Sequence, residues 1–491
     1  MLGDIDKTRL RISAETEAKK KSQFGQFLTP ATTARFMASL FAESTLPVCR
    51  LLDPGAGIGS LASAFLERWV AGGFGFKSVG LTACEIDAGL REILLRTMAL
   101  YETKAPFACD IVPGDFIEDA VNRLQFSTAG KFTHAIINPP YKKINTQSHH
   151  RLLLRQVGIE TVNLYSAFVA LALALLCPGG QLVAIVPRSF CNGPYYRPFR
   201  AFILERAAIR HLHLFASRDM AFKDDDVLQE NVIIMLERDG EQENVMVSTS
   251  TDDRFDDYSI HQHAFDRIVF PNDPDRFVHV PASTGQSVIE LSAAIRYTLN
   301  EIGVMVSTGP VVDFRLREHI RQSPEAESVP LLYPVHFSGR AVAWPKEDLK
   351  KANAIHRNAD TEKWLYPAGF YTVVRRFSSK EERRRIMASV VDPKAFPGAT
   401  AFGFENHLNV FHERRNGLPA ALAHGLAVFL NTTAVDDHFR RFSGHTQVNA
   451  ADLRAMKYPS REALLKLGKW AMKNGELSQA MIDEQLADVS A

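Results

Sequence analysis

The sequence predicts an α/β protein: a parallel, doubly wound sheet with helices on both faces, then a second region of mixed short elements. Three observations carry this. Between about residues 50 and 240, short β-branched runs alternate with segments of helical period. Glycine and proline punctuate the chain after several of the runs. Four successive runs end in or beside a carboxylate or an amide, at Asp53, Glu85, Asp115 and Asn138.

Taken in order, the runs at 48–53, 78–86, 107–112, 134–138, 181–187, 209–215 and 231–236 read as strands. Helical patterns over 60–71, 88–101 and 163–176 lie between them. The last two runs flank a charged stretch at 218–226 and are placed to close the sheet with an antiparallel strand. Residues 246–300 are polar and weakly patterned, with Asp252-Asp253 and Pro271-Asn272-Asp273-Pro274, and read as a connecting region. From 301 the chain turns to short mixed segments rich in aromatics, in which 26 Lys/Arg stand against 22 Asp/Glu, before eight histidines are counted. The expected domains are 1–245, a connector over 246–300, and 301–491.

At 491 residues the chain is too long for one ordinary domain. A net charge of +1 neither favours nor excludes nucleic acid, because an even total can hide a basic face. Five cysteines form no C-x-x-C pair, so free buried thiols in a reducing compartment are expected, and no metal site. The first residues lack a basic region and an apolar core, so no secretion signal is expected. The longest apolar stretch, 164–177, is too short to span a bilayer and stops at Pro178-Gly179-Gly180. A cytoplasmic protein with no membrane partner follows as the expectation.

The strand ends carry the chemistry. Asp53-Pro54-Gly55-Ala56-Gly57-Ile58-Gly59-Ser60 is a glycine-rich turn leading into a helix, where backbone can approach a ligand closely. Asp53 would repel phosphate but suits an amino group, and without G-K-[ST] there is no P-loop. Glu85 stands where an acid binds ribose hydroxyls in doubly wound sheets. Asp115 could accept a bond from an adenine amine, with Phe116 packed on the ring. In Asn138-Pro139-Pro140-Tyr141 the two prolines end the strand as a rigid loop, leaving one amide, one ring and carbonyls that suit a planar amine. Each acid alone would equally suit a solvated turn, and Asn-Pro a simple strand-terminating turn.

Together these motifs resemble an S-adenosylmethionine-dependent N6-adenine DNA methyltransferase of the gamma arrangement, the TaqI and PstI/BsuBI kind. The resemblance implies a class I methyltransferase domain, with a Rossmann-like seven-stranded sheet, and a C-terminal α+β target-recognition domain. Asn138, Pro139, Pro140 and Tyr141 would be catalytic. Asp53, Pro54, Gly55, Gly57, Gly59, Glu85, Asp115, Phe116 and Asn138 would hold the cofactor. Phe24-Gly25-Gln26-Phe27-Leu28-Thr29-Pro30 is similar to the family's extra cofactor motif, with Thr29 and Pro30 at the methionine end. An ordinary helix cap at Thr29 with proline at the first helical position explains the same residues.

The segments Ala221-Phe222-Lys223 and Leu228-Gln229-Glu230-Asn231-Val232 resemble the region that supplies a second ring to an extruded base. Phe222 is assigned that role, with Phe190 as the competing ring. Arg375-Arg376, Arg383-Arg384-Arg385, Arg440-Arg441 and 443–449 are the expected contacts to double-stranded DNA, although each Arg cluster also fits a solvated face. A monomer with a separately encoded restriction nuclease is the expected partnership. RNA-base and protein-glutamine methyltransferases share the catalytic motif and form the alternative, ahead of a non-catalytic nucleic-acid-binding module. A fused nuclease lacks its constellation of acids and lysine.

Overall fold

The computed structural model describes residues 2–15, 28–103, 106–126, 131–215, 230–271, 273–281, 289, 292–338, 341–347, 351–378, 382–442 and 447–490. They fall into two units, Met1–Thr284 and Gly285–Ala491.

In the first unit, β1 (Val48–Pro54), β2 (Ser78–Glu85), β3 (Phe107–Pro113), β4 (Phe132–Ile137) and β5 (Leu176–Pro187) are all parallel. β6 (Ala207–Phe215) and β7 (Asn231–Arg238) follow, and β7 lies antiparallel between β5 and β6. The sheet order is β3-β2-β1-β4-β5-β7-β6, so its direction of growth reverses between β1 and β4. In such sheets that reversal opens a crevice at the carboxyl ends of the strands.

The helices divide cleanly between the two faces. α1 (Leu2–Glu15), α2 (Ala31–Ser39), α3 (Ser60–Val70) and α4 (Ala88–Glu102) share one apolar layer with Leu51, Ile136, Val183 and Ile233. α5 (Phe116–Phe126), α6 (His149–Gln156), α7 (Leu164–Leu175) and α8 (Arg197–Arg206) share the other with Leu52, Ala135, Leu182 and Val232. Adjacent strand residues supply opposite layers, as a period of two requires. β4 and most of β5 are buried on both faces, which is why they read as continuous apolar runs.

The segment expected to be a connector instead extends the sheet. β8 (Val245–Ser250) pairs parallel with β6, and β9 (Ser259–His263) pairs antiparallel with β8, giving nine strands. Its interior is partly polar. His211 Nε2 lies 2.6 Å and His213 Nδ1 2.9 Å from Ser248 Oγ, all three buried. Each group meets the other's hydrogen-bonding need, so polar residues tolerate burial there, and β8 contributes only Val245 and Val247 to the apolar core.

The five cysteines are free thiols. Burial pushes Cys49, Cys84, Cys109 and Cys191 up to about 12, far from reactivity. Among the described residues, no helix is long and apolar enough to cross a membrane.

The second unit contains a four-stranded antiparallel sheet, Met305–Thr308, Leu408–His412, Tyr371–Arg375 and Ala388–Val391 in spatial order. A five-stranded mixed sheet, two two-stranded sheets and a C-terminal group of helices accompany it among the described residues. Helices Ala420–Leu430 and Arg461–Lys473 meet backbone to backbone at Gly425 and Gly468, where a Cβ on Gly468 would overlap the Ala421 carbonyl. Gly468→Ala gains about 1 kcal/mol of helix propensity but must separate two main chains, and overpacking costs about 1–3 kcal/mol or more. We expect a net loss of about 2 kcal/mol in denaturant unfolding. A variant at least as stable as the parent would refute this close approach.

Candidate active site

The strand ends of the first unit form a cavity of about 210 Å3 whose wall includes Gly55, Gly57, Glu85, Asp115, Phe116, Asn138 and Pro140. Four separate sequence features thus meet at one place, the carboxyl edge of β1, β2, β3 and β4.

The glycine turn is tied to the neighbouring strand. The amides of Gly55 and Ala56 both donate to the Cys84 carbonyl, at 2.8 and 3.0 Å. Gly57 donates at 2.8 Å to Glu85 Oε2, while Asp87 donates at 2.8 Å to Oε1. Glu85 is 2% exposed, and burial raises its pKa against the pull of these amides. Gly57 has φ +57°, and a Cβ there would press into Leu28 at 2.8 Å. Gly59, with φ +86°, sits where a Cβ would meet Leu94 and Met98, so it serves helix packing and is not part of the cavity wall. Nor do Asp53 and Pro54 belong to that wall. Asp53 is wholly buried beneath the turn, and neither of its carboxylate oxygens has a well-formed hydrogen bond among the described residues. Burial pushes its pKa up to about 8, opposed by the nearby Ala62 amide and helped by Glu85.

Asp115 opens α5. Its Oδ1 accepts from the amides of Ile117 at 2.7 Å and Glu118 at 3.3 Å, and its Oδ2 lies 2.9 Å from His150 Nε2. Burial alone would raise its pKa, but the His150 bond and charge, with the two amides, hold the carboxyl below the usual range. Phe116 is buried against Phe168, centroids 4.9 Å apart, and both rings border the cavity.

The amide of Asn138 is oriented from the N-terminal segment. Its Nδ2 donates to Thr29 Oγ1 at 3.0 Å, leaving Oδ1 as the acceptor end, which the Tyr141 hydroxyl approaches at 3.4 Å. Thr29 therefore does not cap the helix. α2 begins at Ala31 with Pro30 as its cap residue, and Thr29 is buried, with its hydroxyl against Asn138. Tyr141 also donates to the Ile185 carbonyl at 3.2 Å, and its ring meets Tyr165 edge-on at 6.2 Å. The loop beyond is pinned by Leu164 donating to Lys142 and Ile144 donating to Val162, each at 2.8 Å.

The competing second ring is buried in the core. Phe190 is 1% exposed and packs edge-on against Phe199, inside the core of the α5 to α8 face. Phe222 lies outside the described residues, as do 24–27. Sequence reasoning missed His150 and Lys142, which border the same cavity. The Asn-Pro-Pro-Tyr motif offered no signal for a partner twelve residues further on, beyond the Ser148 cap that starts its helix.

In the second unit several of the expected DNA contacts have structural partners. Arg385 is fully buried, its Nε donating to Ser378 Oγ at 3.1 Å, which corrects its reading as a surface contact. Arg384 Nη2 donates to the Thr432 carbonyl at 2.8 Å and Arg376 Nη1 to that of Asn406 at 3.2 Å. Arg440 pairs with Asp436 at 2.8 Å. Arg383 is exposed. Residues 443–446 lie outside the described residues, whereas Val448 and Asn449 are fixed: Val448 donates to the Arg376 carbonyl at 2.6 Å, and Asn449 and Asp452 cap a helix.

The model of the Eco57I restriction-modification methylase family matches residues 104–222. The chain is 49% identical to the type II methyltransferase M.BsuBI of Bacillus subtilis, over 100% of this chain and 98% of that protein. It is 40% identical to the type II methyltransferase M.PstI of Providencia stuartii, over 98% of this chain and 95% of that one. Among solved structures, the type IIL restriction-modification enzyme MmeI in complex with DNA aligns over 90% of this chain and 69% of its own, with a TM-score of 0.51 at 11% identity. That likeness bears on the fold alone.

Proposed function

The chain belongs to the type II restriction-modification methyltransferases, and from that premise we propose that it methylates N6 of an adenine turned out of double-stranded DNA, with S-adenosylmethionine as donor. The observation that carries the reading is the shared cavity: Asn138, with its amide turned by Thr29, opens onto the same space as Glu85 and Asp115.

The residues present fit the cofactor. Gly57 holds a left-handed φ of +57° that strains other residues, and a Cβ there would press into Leu28, which borders the cavity. Glu85 suits the ribose hydroxyls, and its anchoring to two amides is compatible with this because a carboxylate oxygen accepts more than one bond. Asp115, flanked by Phe116, suits the adenine amine. Gly55, Gly57, Thr29 and Pro30 would hold the methionine end, with Asp53, Pro54 and Gly59 supporting the turn. Bound S-adenosylmethionine supplies an electrophilic methyl group on a sulfonium.

Adenine N6 is a weak nucleophile because its lone pair is delocalised into the ring. Asn138 Oδ1 and the Pro139 carbonyl would accept its two hydrogens and draw the nitrogen towards tetrahedral geometry. Pro140 keeps the loop rigid, and no proline N–H competes for those acceptors. Tyr141 would stack on the base, held by its bond to the Ile185 carbonyl. The methylated nitrogen is acidic enough to lose its extra proton to water, so catalysis rests on orientation and preorganised dipoles. Unstacking the base costs on the order of a few kcal/mol, offset by stacking on Tyr141 and, in this reading, Phe222.

The unit Gly285–Ala491 is assigned target recognition. A separately encoded nuclease is the expected partner of a monomeric, cytoplasmic enzyme. Nothing in the comparisons favours the RNA or protein-glutamine alternatives. Single-molecule sequencing of DNA from cells expressing the chain tests the reading. N6-methyladenine in one sequence context is expected. Its absence, with soluble protein that binds cofactor, would overturn the proposal.

A further inference from the structure

His150 stands on the cavity wall outside the constellation just described. Its Nε2 meets Asp115 Oδ2 at 2.9 Å, on the side of the carboxylate that the amides of Ile117 and Glu118 do not reach. Resting on the reading of Asp115 as acceptor for the cofactor's adenine amine, we propose that His150 is a positioning residue. It fixes the carboxylate so that it faces the cavity as a pure acceptor, and thereby makes the enzyme choose a cofactor base bearing an amine over one bearing an oxo group.

Three features support this. First, the imidazole is held in place. Ser148 caps its helix by accepting from the Arg151 amide, Leu154 is buried in the core, and Arg151 and Arg155 both pair with Glu160. The helix that carries His150 is thereby braced at both ends.

Second, the pair is partly shielded, with side-chain exposures of 32% for His150 and 24% for Asp115. Removing the ring would admit water to Oδ2 and leave the carboxylate tethered through Oδ1 alone. The other charged groups around His150 are Glu118, which pairs with His149 at 3.2 Å, and Lys142. Asp115 supplies the largest influence on His150, and raises its pKa.

Third, the chemistry discriminates. An ionised carboxylate accepts bonds and donates none, so it matches a 6-amino group and repels a 6-oxo group. The His150 hydrogen bond and charge favour that ionised form against the burial that opposes it. His150 need not touch the cofactor to do so.

Titration calorimetry on the full chain tests the proposal, with S-adenosylhomocysteine and its 6-oxo counterpart, S-inosylhomocysteine, as the two probes. The parent should prefer the adenosyl compound about a hundredfold, the scale of a charge-assisted hydrogen bond gained or lost. His150→Ala should reduce that ratio to about tenfold or less, chiefly through weaker adenosyl binding. His150→Gln keeps an N–H donor and should recover most of the preference, which a merely structural role for the ring would not predict. A parent that discriminates and an Ala variant that discriminates equally would overturn the proposal alone. A parent that binds both probes equally would overturn the reading of Asp115 and this proposal with it.

Discussion

Asn138→Ala should lower the rate of adenine methylation by about 10²–10³-fold while changing the affinity for S-adenosylhomocysteine by no more than a few-fold. The size follows from what the amide does in the proposed mechanism. Removing one preorganised hydrogen-bonding group aimed at developing charge costs about 2.7–4 kcal/mol of transition-state stabilisation. Asn138 supplies such a group, and its orientation is set before substrate arrives, because Nδ2 already donates to Thr29 at 3.0 Å. Alanine deletes the acceptor and leaves the Pro139 carbonyl to act alone. Single-turnover methylation of a duplex containing the target sequence measures the chemical step directly. A variant with wild-type single-turnover rate would remove Asn138 from catalysis. The same geometry makes Thr29→Val informative: it should misorient the amide and slow the same step by a smaller factor, with S-adenosylhomocysteine affinity reporting separately on its proposed cofactor contact.

Much of this site was legible because its residues are bound to strand ends. Asp53, Glu85, Asp115 and Asn138 each follow an apolar run, and a parallel sheet has no choice but to bring successive carboxyl ends to one edge. The order of the runs did the rest. What escaped depends on tertiary packing rather than on local pattern. His150 reaches Asp115 because α6 lies against α5, and no spacing along the chain announces that pairing. β8 escaped because its apolar burial is limited to Val245 and Val247 while Ser248 and Ser250 are buried as partners of the β6 histidines, and β9 is only partly buried. Arg385 misled in the opposite sense. A run of three arginines reads as solvated or DNA-binding, yet the third is enclosed, with its own amide donating to Asp436 at 2.7 Å and its guanidinium 5.5 Å from the Phe439 ring. A buried arginine held by residues distant in the sequence is invisible to composition. Thr29 was read for a direct cofactor contact or a cap; it does not cap α2, and its hydroxyl oxygen accepts from Asn138.

Glu85→Ala should weaken S-adenosylhomocysteine binding by about 10²–10³-fold and leave the chain folded. Two effects combine. The carboxylate of Glu85 accepts the Gly57 and Asp87 amides at 2.8 Å each, and hydrogen bonds to a charged group contribute about 1.5–3 kcal/mol apiece. Alanine leaves both amides without that acceptor and frees the glycine turn to move away from β2. The proposed bonds to the ribose hydroxyls vanish at the same time. Part of the deficit is recovered as water reaches the exposed amides, so the loss in binding is smaller than the sum of the bonds. Glu85→Gln separates the two contributions. Its single amide oxygen can serve one of the two backbone donors, but its NH2 then confronts the other, so glutamine should disturb the turn nearly as much as alanine despite its matching size. A surface acid with no such anchoring would show the opposite ranking, with glutamine close to wild type. Calorimetric titration of the two variants, beside a thermal scan of each, reads binding and folding independently. Binding of the Ala variant within threefold of wild type would mean that the acid at the end of β2 does not hold the cofactor. Equal weakening of both variants, with unfolding transitions near that of the parent, is the expected result. It would identify Glu85 as the joint between the glycine turn and the ribose.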